Sequence, residues 1–545
     1  MVDANLQTIL AYHQRSKHQL ARYAAGPETL DWDMQPNPFR RFAGSRNEGL
    51  PLVADTLRTP WAELFVAGHC TPRSFNRSHL GALLELSFGL SAWKQYGPDR
   101  WALRCNPSSG NLHPTEAYVL AHGVMALDDG LYHYAPREHV LELRATLNRG
   151  HGNALPQERP HLWVALSSVH WREAWKYGER AFRYCQLDVG HAIGALRYAA
   201  ALLGWHARVI DTSTPALARL IGTDRVLDFA NIEQEEAELL IEIFPQGAGL
   251  MAPLDWTAQG VWSGRANCLD PSRHMYHWPI IDQVAAASRR LRPASDRPRD
   301  AAPRMAGERA HTALAATQPA STLIRQRRSA QHFERRASMP AAHFFAIARS
   351  LLSDTLPWDV WLHDERIHPV FFVHRVDGLA SGAWVLPRSR RGEHLLRSAL
   401  APDMLWQALN PAVTDLPLFM LADNPGLAGS LRTLCCHQAI GADACFAVAM
   451  LADFSATLHE DPADYRRLYQ EAGLLGQVLY MEAEAHGLRG TGIGCYFDDG
   501  LHDLLGIHDT RLQSLYHFTV GVPLVDNRIT TEAPYPGRVA EESSP

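Results

Sequence analysis

The sequence has little cysteine for its length and lacks long hydrophobic runs. Its eight cysteines are scattered over 545 residues without a CxxC pair, which argues against a disulfide framework. No window reaches the length of about 18 apolar residues that a membrane-spanning helix needs. The first residues, MVDANLQTILAYHQRSKH, lack the apolar region of a secretory signal. We therefore expect a cytoplasmic protein.

A strong excess of one charge is also absent. The formal net charge is -6 and the pI is about 6.5, so no basic surface for nucleic acid is indicated. With 46% hydrophobic and 20% charged residues, the composition is that of a globular protein with more than one core. We expect neither a nucleic-acid nor a membrane partner.

The nearest approach to a metal site is a group of cysteines with one histidine. Cys435, Cys436, His437 and Cys445 lie in the segment CCHQAIGADACFAVAMLADF. Its apolar character favours a buried helix, whereas zinc ligands usually come in pairs at tighter, separated spacings. The sequence therefore predicts that these residues pack in a core, and it predicts no metal site.

A segment near the middle divides the chain. Residues 286–320 are dominated by alanine, arginine and proline without apolar periodicity, which is typical of a linker or a disordered segment. We predict an N-terminal extension over residues 1–60 and two domains over residues 61–285 and 321–545. The extension could cover an active-site mouth or the seam between the domains, but we favour simple packing on the surface.

The two halves share sequence patterns in the same order. Residues 116–134 and 368–386 both predict a strand, a turn and a second strand. Residues 183–204 and 466–487 both predict a long helix, apolar nearly all round, that ends in glycine. Because these segments follow one another in the same order, a duplicated fold is the better interpretation.

Five motifs then point to a known family. They are RCNPSSGNLHPTE (104–116), WKYGERAFRY (175–184), RQRRS (325–329) with Phe333 after it, GTGIGCYFDD (490–499) and GVPLVDNR (521–528). In this order they resemble nitroreductase-like, FMN-dependent proteins, specifically the SagB/ThcOx-type dehydrogenases. The resemblance covers most of residues 75–245 and 320–530. It implies an α+β fold with two nitroreductase-like domains, each an antiparallel-rich mixed sheet flanked by helices, that form a pseudo-dimer within one chain.

The resemblance places the phosphate of FMN on a run of basic residues. The expected ligands are Arg325, Arg327, Arg328 and Ser329, with Arg528 beyond the terminal strand. The chemistry agrees, because guanidinium groups bind phosphate oxygens in bidentate fashion. A predicted helix start at the arginine run would add backbone N–H donors. The alternative is a solvated basic face.

Two further segments are expected to contact the flavin ring. The first is a turn of small donors and acceptors, with Arg104, Pro107, Ser108, Ser109 and Asn111 as the expected contacts. An ordinary surface turn is the alternative, since such sequences are common in loops. The second is the set Gly490, Gly492 and Gly494, where the absence of Cβ atoms lets the backbone approach a planar cofactor.

Each half has lost what the other retains. Alignment of the halves places residues 325–329 over 61–65, which read WAELF and contain no arginine. The three glycines fall on His206, Arg208 and Ile210. The second half in turn has no counterpart of PSSGNLHP. We therefore expect one composite FMN site, built from both halves, instead of two equivalent sites.

The expected reaction depends on a Lys-Tyr pair. Lys176 and Tyr177 resemble the pair that serves the deprotonation accompanying hydride loss to flavin in azoline dehydrogenases. Arg180, one helical turn later, is expected to lower the pKa of Lys176 and favour a neutral amine base. The alternative is a surface pair on an amphipathic helix.

Three functions remain open from the sequence. The leading one is an FMN-dependent dehydrogenase or oxidase that takes a hydride from a C–H next to a heteroatom, for which a small-molecule or peptide azoline is the example that the resemblance implies. The second is an NAD(P)H-dependent nitro- or quinone reductase that uses the same site. The third is a flavin-free scaffold in a biosynthetic complex. Fast reduction of flavin by NADPH would favour the second, and a colourless protein the third.

Overall fold

A computed structural model of the chain describes residues 2–66, 68–146, 160–245, 261–270, 277–293, 317–353, 355–410 and 412–537. Two seven-stranded sheets, one in each half of the chain, form the centre of two α+β domains. The predicted fold class is therefore confirmed. A search of the described residues for a helix long and apolar enough to cross a membrane finds none.

The first half builds its sheet from antiparallel neighbours. Its helices are α1 (Val2–Arg15), α2 (Arg77–Ser87), α3 (His170–Tyr177), α4 (Ala181–Leu202), α5 (Thr214–Ile221) and α6 (Pro279–Ala287). Its strands are β1 (Phe42–Ala43), β2 (Arg46–Gly49), β3 (Leu90–Tyr96), β4 (Asp99–Arg104), β5 (Thr115–His122), β6 (Gly130–Ala135), β7 (Val140–Thr146), β8 (His161–Ser168), β9 (Trp205–Ile210), β10 (Glu236–Pro245) and β11 (Arg265–Ala266). The main sheet has the order β2-β7-β6-β5-β8-β10-β9.

The second half repeats this plan. Its helices are α7 (Ala320–Gln326), α8 (Ala341–Ser350), α9 (Arg390–Ala399), α10 (Leu427–Leu434), α11 (Ile440–Asp443), α12 (Phe454–Glu460), α13 (Asp464–Ala485) and α14 (Asp498–Leu505). Its strands are β12 (His332–Phe333), β13 (Met339–Pro340), β14 (Ile367–Val373), β15 (Val376–Asp377), β16 (Gly382–Val385), β17 (Gln407–Ala408), β18 (Phe419–Asp423), β19 (Phe446–Asp453), β20 (Arg489–Ile493), β21 (Leu512–Gly521), β22 (Pro523–Leu524) and β23 (Thr530–Glu532). The main sheet has the order β17-β18-β16-β14-β19-β21-β20.

The segments that match in sequence occupy matching places in the two sheets. The predicted strand–turn–strand segments are confirmed as β5 with β6 and as β14 with β16. The predicted long helices are confirmed as α4 and α13, each 22 residues long and buried along most of its length. Gly490 and Gly492 lie on β20, and the residues aligned with them, His206 and Arg208, lie on β9. Each of these two strands lies at the edge of its sheet.

Helices α4 and α13 pack directly against each other at a pair of glycines. A Cβ built at Gly190 would overlap the carbonyl oxygen of Gln470 and lie 2.8 Å from the Cα of Gly473. A Cβ built at Gly473 would overlap the carbonyl oxygen of Leu187. The two glycines are the pair that the sequence alignment matches. Their backbones touch, and this contact joins the two domains as a pseudo-dimer.

A hairpin present only in the first half receives a strand from the second. Strands β3 and β4 form this hairpin between α2 and β5. Over the residues that the structure describes between α8 and β14, the second half has a short turn there (Trp358–Val360) and no hairpin. Strand β23 pairs with β3, and Tyr535 beyond it accepts a hydrogen bond from the Leu90 amide at 2.9 Å. The end of the second half is thereby fastened to the first.

The N-terminal helix lies in the seam between the domains, so the expectation of simple surface packing is wrong for α1. The fully buried Tyr12 donates a hydrogen bond to the carbonyl of Glu179 in the first half at 2.8 Å. The neighbouring His13 ring is 3.2 Å from Tyr465 Oη and 3.1 Å from Gln513 Oε1 in the second half. One face of α1, with the buried residues Leu6, Ile9 and Tyr12, is thereby removed from water.

The apolar segment that begins at Cys435 is not one buried helix, contrary to the prediction. Cys435 follows α10, the short α11 comes next, and the chain then forms β19 in the interior of the sheet. An interior strand covered on both faces has a continuous apolar sequence, which resembles that of a buried helix. Most of the predicted linker, residues 294–316, lies outside the described part of the chain.

The glycine contact between α4 and α13 gives the first testable prediction. Replacing Gly190 by Ala should lower the free energy of unfolding by about 1–3 kcal/mol, because an added methyl group forces two backbones apart. The matched control is Gly429→Ala in α10, where a Cβ meets nothing within 4 Å. This second variant should be unchanged or more stable by up to about 1 kcal/mol. Equal denaturation midpoints for both variants would contradict the close contact.

Candidate functional site

A cavity of about 500 Å³ lies between the two domains. Ligand pockets for small molecules usually have volumes of about 300–1,000 Å³. From the first half, its walls include Arg104, residues 106–111, Tyr177, Tyr184, Asp188 and His191. From the second half, they include Arg327, Arg328, Ser329, Gln438, Tyr480, Arg489, residues 491–495 and Tyr516. The cavity therefore needs both halves of the chain.

The predicted small polar turn forms one wall and is held by helix α4. Asp188 of α4 accepts hydrogen bonds from the backbone N–H and the hydroxyl of Ser109, both at 3.1 Å. The hydroxyl of Ser108 accepts from the amide of His113 at 2.8 Å, and the Asn111 side chain donates to the carbonyl of Ala102 at 2.9 Å. These bonds fix the turn in place.

Two polar residues of α4 face the cavity and were missed in the sequence. Burial raises the pKa of Asp188 to about 7, although hydrogen bonds from the serines of the turn oppose this shift. Burial lowers the pKa of His191 to about 3, and its Nε2 lies 3.1 Å from Tyr516 Oη. Their spacing of three residues, which places them on one face of the helix, was the available signal.

The predicted Lys-Tyr pair lies against the same turn. A Cβ built at Gly110 would be 2.6 Å from Tyr177 Oη and 3.3 Å from Lys176 Nζ. Gly110 has a φ of 60°, which also favours glycine there. Tyr177 lines the cavity, and the ammonium of Lys176 lies over the Trp32 ring at 5.0 Å from its centroid. The pair is thus not a solvated surface feature.

The pKa of Lys176 is lowered, but Arg180 is not the cause. Burial lowers this pKa, and the charge of Glu173 opposes the shift. Helix α3 ends before Gly178, which has a φ of 55°, so Arg180 does not continue the helical face of Lys176. Arg180 instead pairs with the buried Asp498 at 3.0 Å. Desolvation alone favours the neutral amine.

Glu173 is a second carboxyl group that the sequence analysis missed. It is fully buried, and neither of its carboxyl oxygens has a hydrogen-bond partner in the described part of the chain. Burial, together with the charge of Asp188, raises the pKa of Glu173 well above its usual value. Burial thus shifts the pKa of Glu173 upward and that of Lys176, one helical turn later, downward.

A second set of lining side chains is cationic. The buried Arg327 donates to the carbonyl oxygens of Cys105 and Arg104, both at 3.2 Å. Burial and the charge of Arg327 lower the pKa of Arg328 to about 10. Burial and the charges of Arg328 and Arg489 also lower the pKa of Lys94, another lining residue. Clustered guanidinium groups of this kind suit a phosphate or another anion.

Two predicted arginine ligands lie elsewhere. Arg325 does not line the cavity and forms an ion pair with Asp55. Arg528 is 72% exposed and pairs with Asp526 at 2.7 Å. The predicted helix start at the arginine run is also wrong, because α7 ends there at Gln326. The arginine run therefore lies at the C-terminus of α7, whose last carbonyl groups lack partners within the helix.

Of the remaining predicted residues, some line the cavity and one lies behind its wall. Arg104 lines the cavity, and burial lowers its pKa to about 10. Gly492 and Gly494 also line it, and Cβ atoms there would overlap the rings of Tyr516 and Tyr184. The glycines thus make room for two aromatic side chains at the wall. Gly490 stands behind the wall, where its backbone bridges to Ser329.

Tyr480 connects the serine and glycine segments and was not predicted. Its hydroxyl lies 2.8 Å from the Ser329 hydroxyl and accepts a hydrogen bond from the Gly492 amide at 3.1 Å. The Arg327 guanidinium lies over its ring, 5.0 Å from the centroid. Nothing in the sequence separates this contact of Tyr480 from ordinary core packing, because an aromatic residue within a long buried helix fits both.

The pseudo-symmetric position holds a cavity of only about 50 Å³. It is lined by Ile210 of β9 and by Arg467 and Gln470 of α13. In the large cavity the matching elements, β20 and α4, supply the lining. Arg290 also lines it and is ion-paired to Asp461 at 2.7 Å. Side chains therefore fill the second position, and it has too little volume for a ligand of ordinary size.

Comparisons with known proteins identify the fold. No family model matches the chain. A protein from Methanocaldococcus jannaschii that carries the name of a nitroreductase is 31% identical over 130 residues, which is 22% of this chain and 64% of the relative. The match thus spans slightly less than two thirds of that relative. A crystal structure from Anabaena variabilis, also named for a nitroreductase, covers 95% of this chain and 99% of its own, with a TM-score of 0.66 and 21% identity. The chain therefore has a nitroreductase-like fold.

Proposed function

We propose that this chain is an FMN-dependent oxidoreductase with a single composite FMN site in the cavity between its domains. One observation carries the proposal: a cavity of about 500 Å³ joins a cationic cluster of one domain to a polar turn and Tyr177 of the other, and Lys176 lies against the same turn. The nitroreductase-like fold and the name of the M. jannaschii relative support it.

The donor set fits the two chemical parts of FMN. Arg327 and Arg328, with Lys94 and Arg489 near them, would hold the phosphate through charge-assisted hydrogen bonds. The turn of residues 106–111 would hydrogen-bond the edge of the ring system. When bound, FMN would supply the acceptor for a hydride, which is two electrons and a proton, and the protein supplies orientation and proton transfer.

The asymmetry of the domains supports a single site. The large cavity combines the turn of the first half with the arginines of the second, and its pseudo-symmetric counterpart is filled by side chains. We infer that an ancestral unit was duplicated and that each copy then lost one part of its own site. One FMN per chain follows from this arrangement.

The reaction that these groups favour is dehydrogenation of a C–H next to a heteroatom, as in SagB/ThcOx-type dehydrogenases and oxidases. A Lys176 amine of lowered pKa accepts a proton from the substrate, and the Tyr177 hydroxyl lies beside the same turn to orient it. A small-molecule or peptide azoline is the substrate class that we propose.

The flavin content of the purified protein tests the proposed site. We expect the absorbance bands of oxidised flavin and one FMN per chain, because only one of the two pseudo-symmetric positions has room for a ligand. Released flavin is quantified against the protein concentration. Two FMN per chain, reproduced in several preparations, would refute the single composite site. A colourless protein that takes up no added FMN would favour a flavin-free scaffold.

Replacement of one cavity arginine should weaken FMN binding more than riboflavin binding. Arg328→Met removes a cation that we assign to the phosphate, and a lost charge-assisted hydrogen bond costs about 1.5–3 kcal/mol, or roughly 10-fold to 150-fold in affinity. The matched control is Arg528→Met, which changes an arginine that is exposed and outside the cavity. Both dissociation constants are measured by fluorescence titration. Equal losses for FMN and riboflavin would remove the phosphate assignment.

Loss of the Lys176 amine should separate cofactor binding from substrate oxidation. Lys176→Ala is expected to keep FMN bound, while flavin reduction by the azoline substrate falls by about 10²-fold to 10⁴-fold, the usual contribution of a general base. Anaerobic stopped-flow absorbance measures the reduction. Unchanged reduction would exclude Lys176 as the base. Fast reduction of wild type and variant alike by NADPH would instead favour a nitro- or quinone reductase.

A further inference from the structure

Two cysteines from separate segments meet at the wall of the cavity. Cys495 directly follows β20 and lines the cavity beside Gly494. Cys436, which precedes α11, lies on a neighbouring segment, because the Phe497 amide donates a hydrogen bond to the carbonyl of Leu434 at 2.8 Å and holds the two segments side by side. The side-chain amide of Gln438 donates to the carbonyl of Cys435 at 2.9 Å and to that of Cys495 at 3.3 Å. This amide joins the two segments that carry Cys436 and Cys495.

The surroundings of Cys495 favour its thiolate. The hydrogen bond from Cys436 lowers the pKa of Cys495 to about 5, with help from His18 and the charge of Arg180 and against the effect of burial. Nδ1 of His18 accepts a hydrogen bond from the Ala24 amide at 2.9 Å, which leaves Nε2 as the protonated nitrogen of the neutral ring. The same thiol–thiol bond raises the pKa of Cys436. Cys495 is therefore the more acidic of the two thiols.

Exposure and backbone conformation agree with a reactive pair. Both cysteines are half-buried, whereas Cys435 next to them is fully buried. Cys436 and His437 have φ values of 53° and 61°, a left-handed conformation that is uncommon for residues other than glycine and is concentrated at functional sites. Reactive cysteines are found in partly exposed, electropositive surroundings of this kind.

We propose that Cys436 and Cys495 are a redox-active dithiol that exchanges two electrons with the FMN of the cavity. The proposal rests on the proposed FMN site. In the oxidising direction, the Cys495 thiolate and the Cys436 thiol form one S–S bond and release two electrons and one proton. Oxidised flavin takes up these two electrons and the proton, giving the anionic reduced flavin. In the reverse direction, reduced flavin opens the disulfide, so the pair stores one additional two-electron equivalent beside the cofactor.

An anaerobic reductive titration of the holoprotein tests the exchange. The protein is first oxidised with diamide, freed of reagent, and titrated with dithionite while the flavin absorbance is followed. Wild type should consume two two-electron equivalents per FMN, one for the flavin and one for the disulfide. Cys495→Ser and Cys436→Ser should each consume one. The matched control Cys435→Ala changes the neighbouring buried cysteine and should still consume two.

Peptide mapping separates a failure of the pair from a failure of the FMN site. Diamide-treated chain, with and without FMN, is digested and searched by mass spectrometry for the linked peptides of Cys436 and Cys495. The linked peptides should be present in both samples and absent after reduction. Their absence, or one equivalent per FMN in wild type despite their presence, would overturn the proposal. A chain that forms the disulfide but binds no FMN would instead refute the proposed FMN site, and with it the exchange.

Discussion

The backbone contact between Gly190 and Gly473 determines the arrangement of everything else in this protein. Because both residues at the crossing are glycines, α4 and α13 approach so closely that a Cβ on either glycine would overlap the backbone of the other helix. Protein interiors are packed at crystal-like density, so a contact of this kind allows little freedom in the relation of the two domains. The same helix α4 carries Tyr184, Asp188 and His191 on the wall of the cavity. The joint between the domains and the wall of the site are therefore one structural element.

The pseudo-symmetry of the fold is broken at the cavity. Both domains have the same strand order, but only the first has the β3–β4 hairpin and the polar turn after it. Only the second has glycines in the edge strand that faces the opposite helix. Strand β23 and helix α1 each contact both domains, which ties this asymmetric pair into one unit. Side chains fill most of the counterpart cavity, and Arg290 and Arg467 are among those that line it.

Electrostatics give the remaining cavity its chemical character. Buried like charges are costly unless a counter-ion neutralises them, and Arg327 and Arg328 lie close enough for the first to lower the pKa of the second. An anionic ligand offsets that cost. Beside the turn, burial instead favours the neutral forms of Lys176, Asp188 and Glu173. One cavity thus offers an anion-binding region and a region suited to proton transfer, as the proposed flavin chemistry requires.

The family resemblance implied the α+β class, and sequence patterns by themselves determined the matched strands and the two long helices. These features follow from local periodicity and spacing, which act over short stretches of chain. Only the tertiary structure decided that Arg325 and Arg528 lie outside the cavity and that burial, in place of Arg180, shifts the pKa of Lys176. It also placed α1 in the seam and brought Cys436 to Cys495. Side-chain direction, desolvation and contacts between distant segments depend on the packed fold, because no local pattern encodes which neighbour a side chain will meet.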